Sequence, residues 1–287
     1  MLPEYVLTGC PSGANLPAAT DSQDREGVHG MRITPLASGS TGNSFLIQAD
    51  STAVLVDAGL SGKRMADRLA ATGVDPASLS GIIVSHAHSD HIKGVGVLSR
   101  KYKIPVWMNR GTWEAAQQAV GKVHRLEFFE TGRIFQVLRL RVHPFSVPHD
   151  CADPVGFRIS YGTCRLGIAT DLGTATGLVA NVLAGLQVVV LESNHDPVML
   201  RDGPYPWELK QRVRSRLGHL SNLESAGLLQ RIVSDELTAV ILAHMSETNN
   251  RADLALQCAK ESLRDFVENR GSVSCALQDE VGPTIEW

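Results

Sequence analysis

Ser85-His86-Ala87-His88-Ser89-Asp90-His91 follows directly on the apolar run Gly81-Ile82-Ile83-Val84. A short β-branched run bounded by small residues reads as a buried strand, so these side chains emerge at a strand's carboxyl end. His86 and His88, two apart on extended chain, point the same way. Asp90 and His91 then fall on the first turn of a helix. Imidazole nitrogen and carboxylate oxygen are donors that zinc, manganese and iron accept, and an apolar strand beneath them is a rigid base. A lone histidine at a strand end is usually structural. Four ionisable groups packed together need a positive charge among them, which points to a metal site holding one or two ions.

Working outward, other apolar strands end the same way. Cys164-Arg165-Leu166-Gly167-Ile168-Ala169 runs into Asp171, Val188-Val189-Val190-Leu191 into Glu192, and Thr238-Ala239-Val240-Ile241-Leu242-Ala243 into His244. Strand ends of one sheet layer lie side by side, so these residues can converge with His86 on one rim. His149, in a loop between strands and fixed by Pro148, is read as a further ligand. Two positions stay open: Asp171 is either an N-cap for the helix over 175–183 or a carboxylate shared by two cations. Asp57, at the end of Ala53-Val54-Leu55-Val56, either caps a turn or orients the ligands from behind.

The remaining elements read as an alternation of strands and helices. A hairpin of Ser44–Gln48 and Ala53–Val56 is closed by Asp57-Ala58-Gly59. Helices are expected over 63–71, 92–102 and 112–120, the last started by Thr112, and an antiparallel meander over 125–142. Further helices are expected over 206–217, 223–233 and 251–268, with an edge strand over 272–277. The 206–217 helix carries Lys210, Arg212, Arg214 and Arg216 after Tyr205 and Trp207. It is either a solvated charged face or a cradle for backbone phosphates with an aromatic to stack on a base.

Composition sets the bounds. The chain has 287 residues, 43% of them apolar, enough to bury a large core. A net charge of −3 lacks the global basic field of many nucleic-acid binders, though a local patch remains compatible with it. Five scattered cysteines without C-x-x-C pairing argue against a disulfide framework or zinc ribbon and fit a reducing cytoplasm. No apolar run approaches the roughly 20 residues of a membrane span. Residues 1–30 lack a signal-peptide core and read as a poorly ordered extension before one domain over 31–287.

The sequence resembles the metallo-β-lactamase fold hydrolases, and within them the YycJ/WalJ (VicX) group. The resemblance covers nearly all of the chain from Met31. It rests on Ala37-Ser38-Gly39-Ser40-Thr41-Gly42-Asn43, Val56-Asp57-Ala58-Gly59, His86-x-His88-x-Asp90-His91, Trp207, Gly218-His219-Leu220-Ser221-Asn222, and Leu242-Ala243-His244 followed by Ser246 and Asn249-Asn250. It implies an α/β fold, the αββα sandwich of two mixed sheets flanked by helices. It also implies two divalent ions (Zn²⁺ or Mn²⁺, with Fe²⁺ compatible), one bound by His86, His88 and His149, the other by Asp90, His91 and His244, with Asp171 bridging. Class B β-lactamases carry a cysteine where Asp171 stands and no ligand histidine at the end of the first motif, so antibiotic hydrolysis is not expected.

Members of the group are linked to 5′-to-3′ exonuclease action on DNA and a part in DNA repair, which makes nucleic acid, DNA before RNA, the expected partner. By resemblance to the tRNase Z relatives, Glu192 and His219 are the pair that assists proton transfer to the leaving group. His195 is a weaker alternative, and His124 and His143 are structural. Asp90 and Asp171 are the carboxylates of the reaction. Ser246, Asn249, Asn250, Arg212, Arg216 and Trp207 are the expected substrate contacts. Two other readings keep parts of this site: a metallohydrolase of a small ester, thioester or lactone, and a metal-binding regulatory protein with little turnover.

Overall fold

The computed structural model describes residues 30–287, so the extension expected over residues 1–30 lies, but for Gly30, outside the described residues. Strands β1 (Met31–Ala37), β2 (Ser44–Ala49) and β3 (Thr52–Val56) lead through helix α1 (Gly62–Ala71) to β4 (Gly81–Ile83). Next come α2 (Ser89–Ile92), α3 (Val95–Tyr102), β5 (Pro105–Met108), α4 (Arg110–Val120) and β6 (Arg125–Phe128). The second half begins with β7 (Phe135–Val137), β8 (Leu140–Ser146), β9 (Val155–Tyr161) and β10 (Cys164–Ala169). It continues with α5 (Gly177–Leu183), β11 (Val188–Glu192), α6 (Pro197–Asp202), α7 (Trp207–Val213) and α8 (Asn222–Ile232). Last are β12 (Ala239–Ala243), α9 (Ala252–Ser262), α10 (Arg264–Asn269), β13 (Ser272–Cys275) and β14 (Ile285–Glu286).

The strands form two seven-stranded mixed sheets, β14-β1-β2-β3-β4-β5-β6 and β13-β12-β11-β10-β9-β8-β7. Their inner faces share one core, in which Ile33, Phe45, Ile47, Val54 and Val56 meet Val142, Phe157, Ile159, Leu166, Val190 and Ile241. The alternate residues of the same strands face outward into helices. Leu46, Leu55 and Ile82 pack with Met65, Leu69, Leu98 and Ala116, while Val189, Val240 and Leu242 pack with Val179, Leu183, Leu228 and Ala255. Both faces of β3, β11 and β12 are therefore covered, which is why they read as unbroken apolar runs. The layers are the expected α, β, β, α.

The parallel pairs β3–β4 and β10–β11–β12 put the carboxyl ends of these strands on one edge of the sandwich. β8 is antiparallel to β9, and β9 to β10, so β8 delivers its own carboxyl end there too. Asp57, His86, His149, Asp171, Glu192 and His244 all stand at or just beyond such ends, at the crevice where ligands of open α/β sheets bind.

Several local expectations give way to tertiary contacts. The β2–β3 hairpin turns at Asp50-Ser51, so Asp57 does not close it and instead begins the exit from β3. The helix expected over 92–102 breaks at Gly94, whose N–H donates to Ala58 O at 2.7 Å and where a Cβ would lie 2.5 Å from Leu60 O. Asn109, not Thr112, caps α4: its side chain accepts the Thr112 N–H at 2.7 Å. The meander over 125–142 is split. β6 pairs parallel with β5 at the edge of the first sheet, and only β7–β8 is antiparallel, in the second. Alternation records that one face is buried, not which strand lies alongside. The basic helix ends at Val213 because a turn through Ser215 and Gly218 follows. The closing helix is divided at Leu263.

Candidate metal centre

The four histidines at the crevice's inner end share one arrangement. His91 Nδ1 lies 2.8 Å from Asp57 Oδ2, His86 Nδ1 2.9 Å from Ser85 Oγ, His149 Nδ1 3.2 Å from Gly218 O, and His244 Nδ1 3.0 Å from Glu192 Oε1. Ser85 donates its own hydroxyl hydrogen to Asp57 Oδ2 at 2.8 Å, so it accepts from His86. Each imidazole thus gives its Nδ1–H outward, which fixes Nε2 as the inward nitrogen. Those Nε2 atoms converge on the Asp171 carboxylate, at 3.1 Å for His91, 3.3 Å for His244, 3.6 Å for His149 and 4.0 Å for His86. His88 turns the other way and presents Nδ1, 3.2 Å from His149 Nε2. Asp90 Oδ2 stands 3.4 Å from His91 Nε2 and 3.5 Å from His244 Nε2.

These residues fall into two main groups with donor atoms close enough for one ion each: His86, His88, His149 and Asp171, and Asp90, His91 and His244. Asp171 belongs to the first and reaches the histidines of the second. A direct test of fit is His86 Nε2, which is buried and has no hydrogen-bond partner. Such a group costs ~1–3 kcal/mol if left unsatisfied, and a cation beside Asp171 would satisfy it. The set of imidazole and carboxylate donors, all on rigid strand ends, fits two divalent metal ions.

The electrostatics follow from that crowding. Burial and the neighbouring His91 push His86 well below the ordinary imidazole range. For His91 burial works the same way, but Asp171, Asp90 and Asp57 outweigh it and hold the ring well above that range. His244 is likewise opposed by burial and raised to about 10, first by Asp171 and then by its bonds to Asp90 and Glu192. Burial would raise the Asp90 and Asp171 carboxyls, yet the surrounding imidazoles hold both below the carboxylate range. Without metal, protons on His91 and His244 thus supply the positive charge the carboxylates require.

Glu192 joins Asp171, His219 and His244 in a third, overlapping group of donors and organises the other side of the cluster. It is fully buried at the end of β11. Oε1 accepts from His219 Nδ1 at 2.8 Å as well as from His244, and Oε2 accepts the N–H groups of Leu172 and Leu220 at 2.8 and 3.1 Å. Burial opposes its ionisation, but the charge of His219 and hydrogen bonds from His219 and His244 bring it to about 2. His219 keeps its second ring nitrogen for a cavity of about 290 Å³ over the cluster, which His88, Asp90, Arg212 and His244 also line.

Other expected residues are distributed differently. Arg212 borders the cavity, its Nε 2.6 Å from Asp150 Oδ2, with Asp150 Oδ1 3.5 Å from His149 Nε2. Trp207 is exposed at the start of α7, and neither it nor Arg216 lines the cavity. Ser246, Asn249 and Asn250 are buried behind His244, and none of them lines the cavity. Asn250 instead binds Ser193 O and Asn222, and Ser246 Oγ accepts the Asn249 N–H at 3.1 Å, which stiffens the loop after β12. Asp171 does not cap α5, because Thr176 does. His195, His124 and His143 lie outside the metal groups.

Two features are beyond reading from the sequence. Asp57, Asp171 and His244 all have positive φ, 61°, 55° and 55°. Such conformations cost of order 1–3 kcal/mol each for non-glycine residues and mark strand ends bent to aim a side chain. Asn43 donates through Nδ2 to Asp90 Oδ2 at 3.1 Å, which ties the loop after β1 to the cluster. Its small-residue loop is visible in the sequence, but its partner is not.

Comparison with known proteins agrees with this architecture. The family model described as "Metallo-beta-lactamase superfamily" matches residues 37–183. The chain is 38% identical over 238 residues to "Exodeoxyribonuclease YycJ" of Bacillus anthracis, covering 82% of this chain and 90% of that one. It is 38% identical over 230 residues to "Exodeoxyribonuclease WalJ" of Streptococcus pneumoniae serotype 2, covering 79% and 86%. Among solved structures, the metallo-beta-lactamase fold protein YhfI of Bacillus subtilis superposes with a TM-score of 0.70 at 16% identity, over 89% of this chain and 99% of that one. That last likeness concerns the fold alone.

Proposed function

The chain belongs to the metallo-beta-lactamase superfamily, and from that membership we propose that it is a dinuclear-metal-dependent phosphodiesterase that removes nucleotides from DNA in the 5′-to-3′ direction. The observation that carries the reading is the pairing of a converging His/Asp cluster with a cavity-facing imidazole braced by a buried carboxylate. The names of its relatives in Bacillus anthracis and Streptococcus pneumoniae support DNA as the substrate. Zn²⁺ or Mn²⁺ suits the donors, and Fe²⁺ is compatible with them. Among the described residues no helix is long and apolar enough to cross a membrane.

Two bound cations would supply Lewis acidity, lowering the pKa of water to near neutrality and offsetting charge on the attacked phosphate. The chain's own residues do the rest. Asp171, within 4.0 Å of five imidazoles, is placed to accept a hydrogen bond from the attacking water and hold it in line. The water oxygen bonds to phosphorus, the P–O3′ bond breaks, and the 3′-oxygen needs a proton. His219 provides it from the nitrogen facing the cavity, while ionised Glu192 holds Nδ1 and so keeps the ring oriented for the transfer. Arg212 sits at the mouth as a counter-charge for the backbone.

Assaying purified, metal-loaded protein on end-labelled DNA, RNA and a lactone panel tests the reading. Stepwise loss of nucleotides from the 5′ end of DNA is expected. Turnover of lactones alone would assign the site to small-molecule hydrolysis, and tight metal binding without any turnover would make it regulatory.

A further inference from the structure

The small-residue loop after β1 has no part in the chemistry above, yet it borders a second cavity. This space, of about 440 Å³, is lined by Ser40, Thr41, Ser89, Asp90, Ile92 and Lys93 among others. It shares Ser40, Ser89 and Asp90 with the cavity over the metal cluster, so the two are parts of one trench that passes the cluster at Asp90.

The loop is built to hold its shape. On its inner side Asn43 Oδ1 accepts from Ser38 Oγ and Gly39 N at 3.1 and 3.0 Å, and Asn43 Nδ2 donates to Gly39 O at 2.9 Å. On its outer side Gln278 Oε1 accepts the Thr41 N–H and Gln278 Nε2 donates to Gly42 O, both at 2.9 Å. A Cβ at Gly39 would stand 2.6 Å from Gln278 Oε1, so only glycine admits this clamp. With the backbone pinned from both sides, Ser40 and Thr41 are left exposed at the trench.

The donors there are unused. Among the described residues, no hydrogen bond or ion pair engages the hydroxyls of Ser40, Thr41 and Ser89 or the ammonium of Lys93. Ile92 gives the space an apolar floor. Three free hydroxyls and one free cation around a trench continuous with a hydrolytic site match a phosphodiester, whose oxygens accept from hydroxyls and whose charge calls for a lysine. A neutral ester or lactone would have no use for that ammonium.

We propose that this second cavity binds the phosphate backbone of the strand that is retained after cleavage, immediately beyond the bond that is cut. The proposal rests on the nuclease reading and adds a direction to it. His219 serves the departing 3′-oxygen and lines only the first cavity. The fragment that keeps the new 5′-phosphate therefore extends the other way, past Asp90 and Ser89 to Lys93, Ser40 and Thr41.

The test compares wild type, Lys93→Ala and Lys93→Arg on single-stranded DNA of increasing length across a series of salt concentrations. Wild-type kcat/KM should rise as the strand grows long enough to reach the second cavity. Lys93→Ala should lose most of that rise, about tenfold on the longer strands, and its plot of log(kcat/KM) against log[salt] should be shallower by about 0.7, as loss of one single-strand phosphate contact requires. Lys93→Arg should restore both. A Lys93→Ala protein with wild-type length dependence and salt slope overturns the subsite while leaving the nuclease reading intact. Wild-type protein that leaves DNA uncut with every metal overturns the nuclease reading and the subsite with it.

Discussion

His219 and Glu192 are joined at 2.8 Å through the oxygen that also holds His244 at 3.0 Å, so one buried carboxylate ties a cavity-facing imidazole to an imidazole of the candidate metal cluster. The two histidines therefore differ in role although they share a partner. His219→Ala should lower kcat by ~10²–10⁴-fold with metal content unchanged. The loss should shrink on a p-nitrophenyl phosphodiester, whose leaving group departs without a proton. An equal loss on both substrates would remove His219 from proton transfer.

Glu192→Gln should do more than His219→Ala, because an amide oxygen cannot hold two imidazole N–H groups as a carboxylate does. Lower kcat together with weaker metal binding is expected, read by turnover and by metal content after dialysis. A variant that lost turnover alone would mean that the link to His244 is dispensable.

Asp171→Ala should abolish phosphodiesterase activity while far-UV circular dichroism stays that of the wild type. Near-normal activity in this variant would contradict the assignment of Asp171 as the residue shared by the two ions.

Asp57→Ala removes the acceptor for His91 Nδ1 and for Ser85 at once. Metal affinity should fall by roughly 10–100-fold, as for other residues that brace a ligand from behind. Competition with a chromogenic chelator measures it.

Metal binding should release protons and strengthen as pH rises. In the metal-free site His244 is raised to about 10 and His91 also stands above the ordinary value, so near pH 7 an incoming ion must displace their protons. Each displaced proton steepens apparent affinity by about tenfold per pH unit. The metal-free fold behaves in the opposite sense on its alkaline side. The bonds of protonated His244 stabilise it fully below the ordinary value of 6.5 and are lost as pH climbs through about 10. Those of Glu192 are present above 4.5 and lost as pH falls through about 2. Thermal melts of chelator-treated protein should thus be highest between these limits, and added metal should raise the melting temperature most at neutral to alkaline pH.

How much of this was legible in the sequence depends on the kind of contact involved. The apolar strands and the polar residues at their ends are readable because burial on both faces leaves unbroken runs such as Val188–Leu191, and an imidazole or carboxylate at the end of each interrupts the run visibly. Strand partnership is not, since β6 and β7 look alike in sequence and join different sheets. Helix breaks at Gly94 and Leu263 come from close packing and local backbone rather than from propensity. The loop Ser246 to Asn250 reads in sequence as a set of free donors, whereas Asn250 is spent on Ser193 and Asn222, Ser246 Oγ accepts the Asn249 N–H, and all three residues are buried. The roles of Asn43 and Ser85 lie in their contacts with Asp90 and Asp57, which are distant in sequence.

The most direct measurement is a titration of metal-free protein with Mn²⁺ or Zn²⁺, following release of nucleotides from 5′-labelled DNA at each step. Activity should rise to a plateau reached at two equivalents of metal per chain. Full activity at one equivalent, or no cleavage of DNA at any metal content, would contradict a dinuclear nuclease.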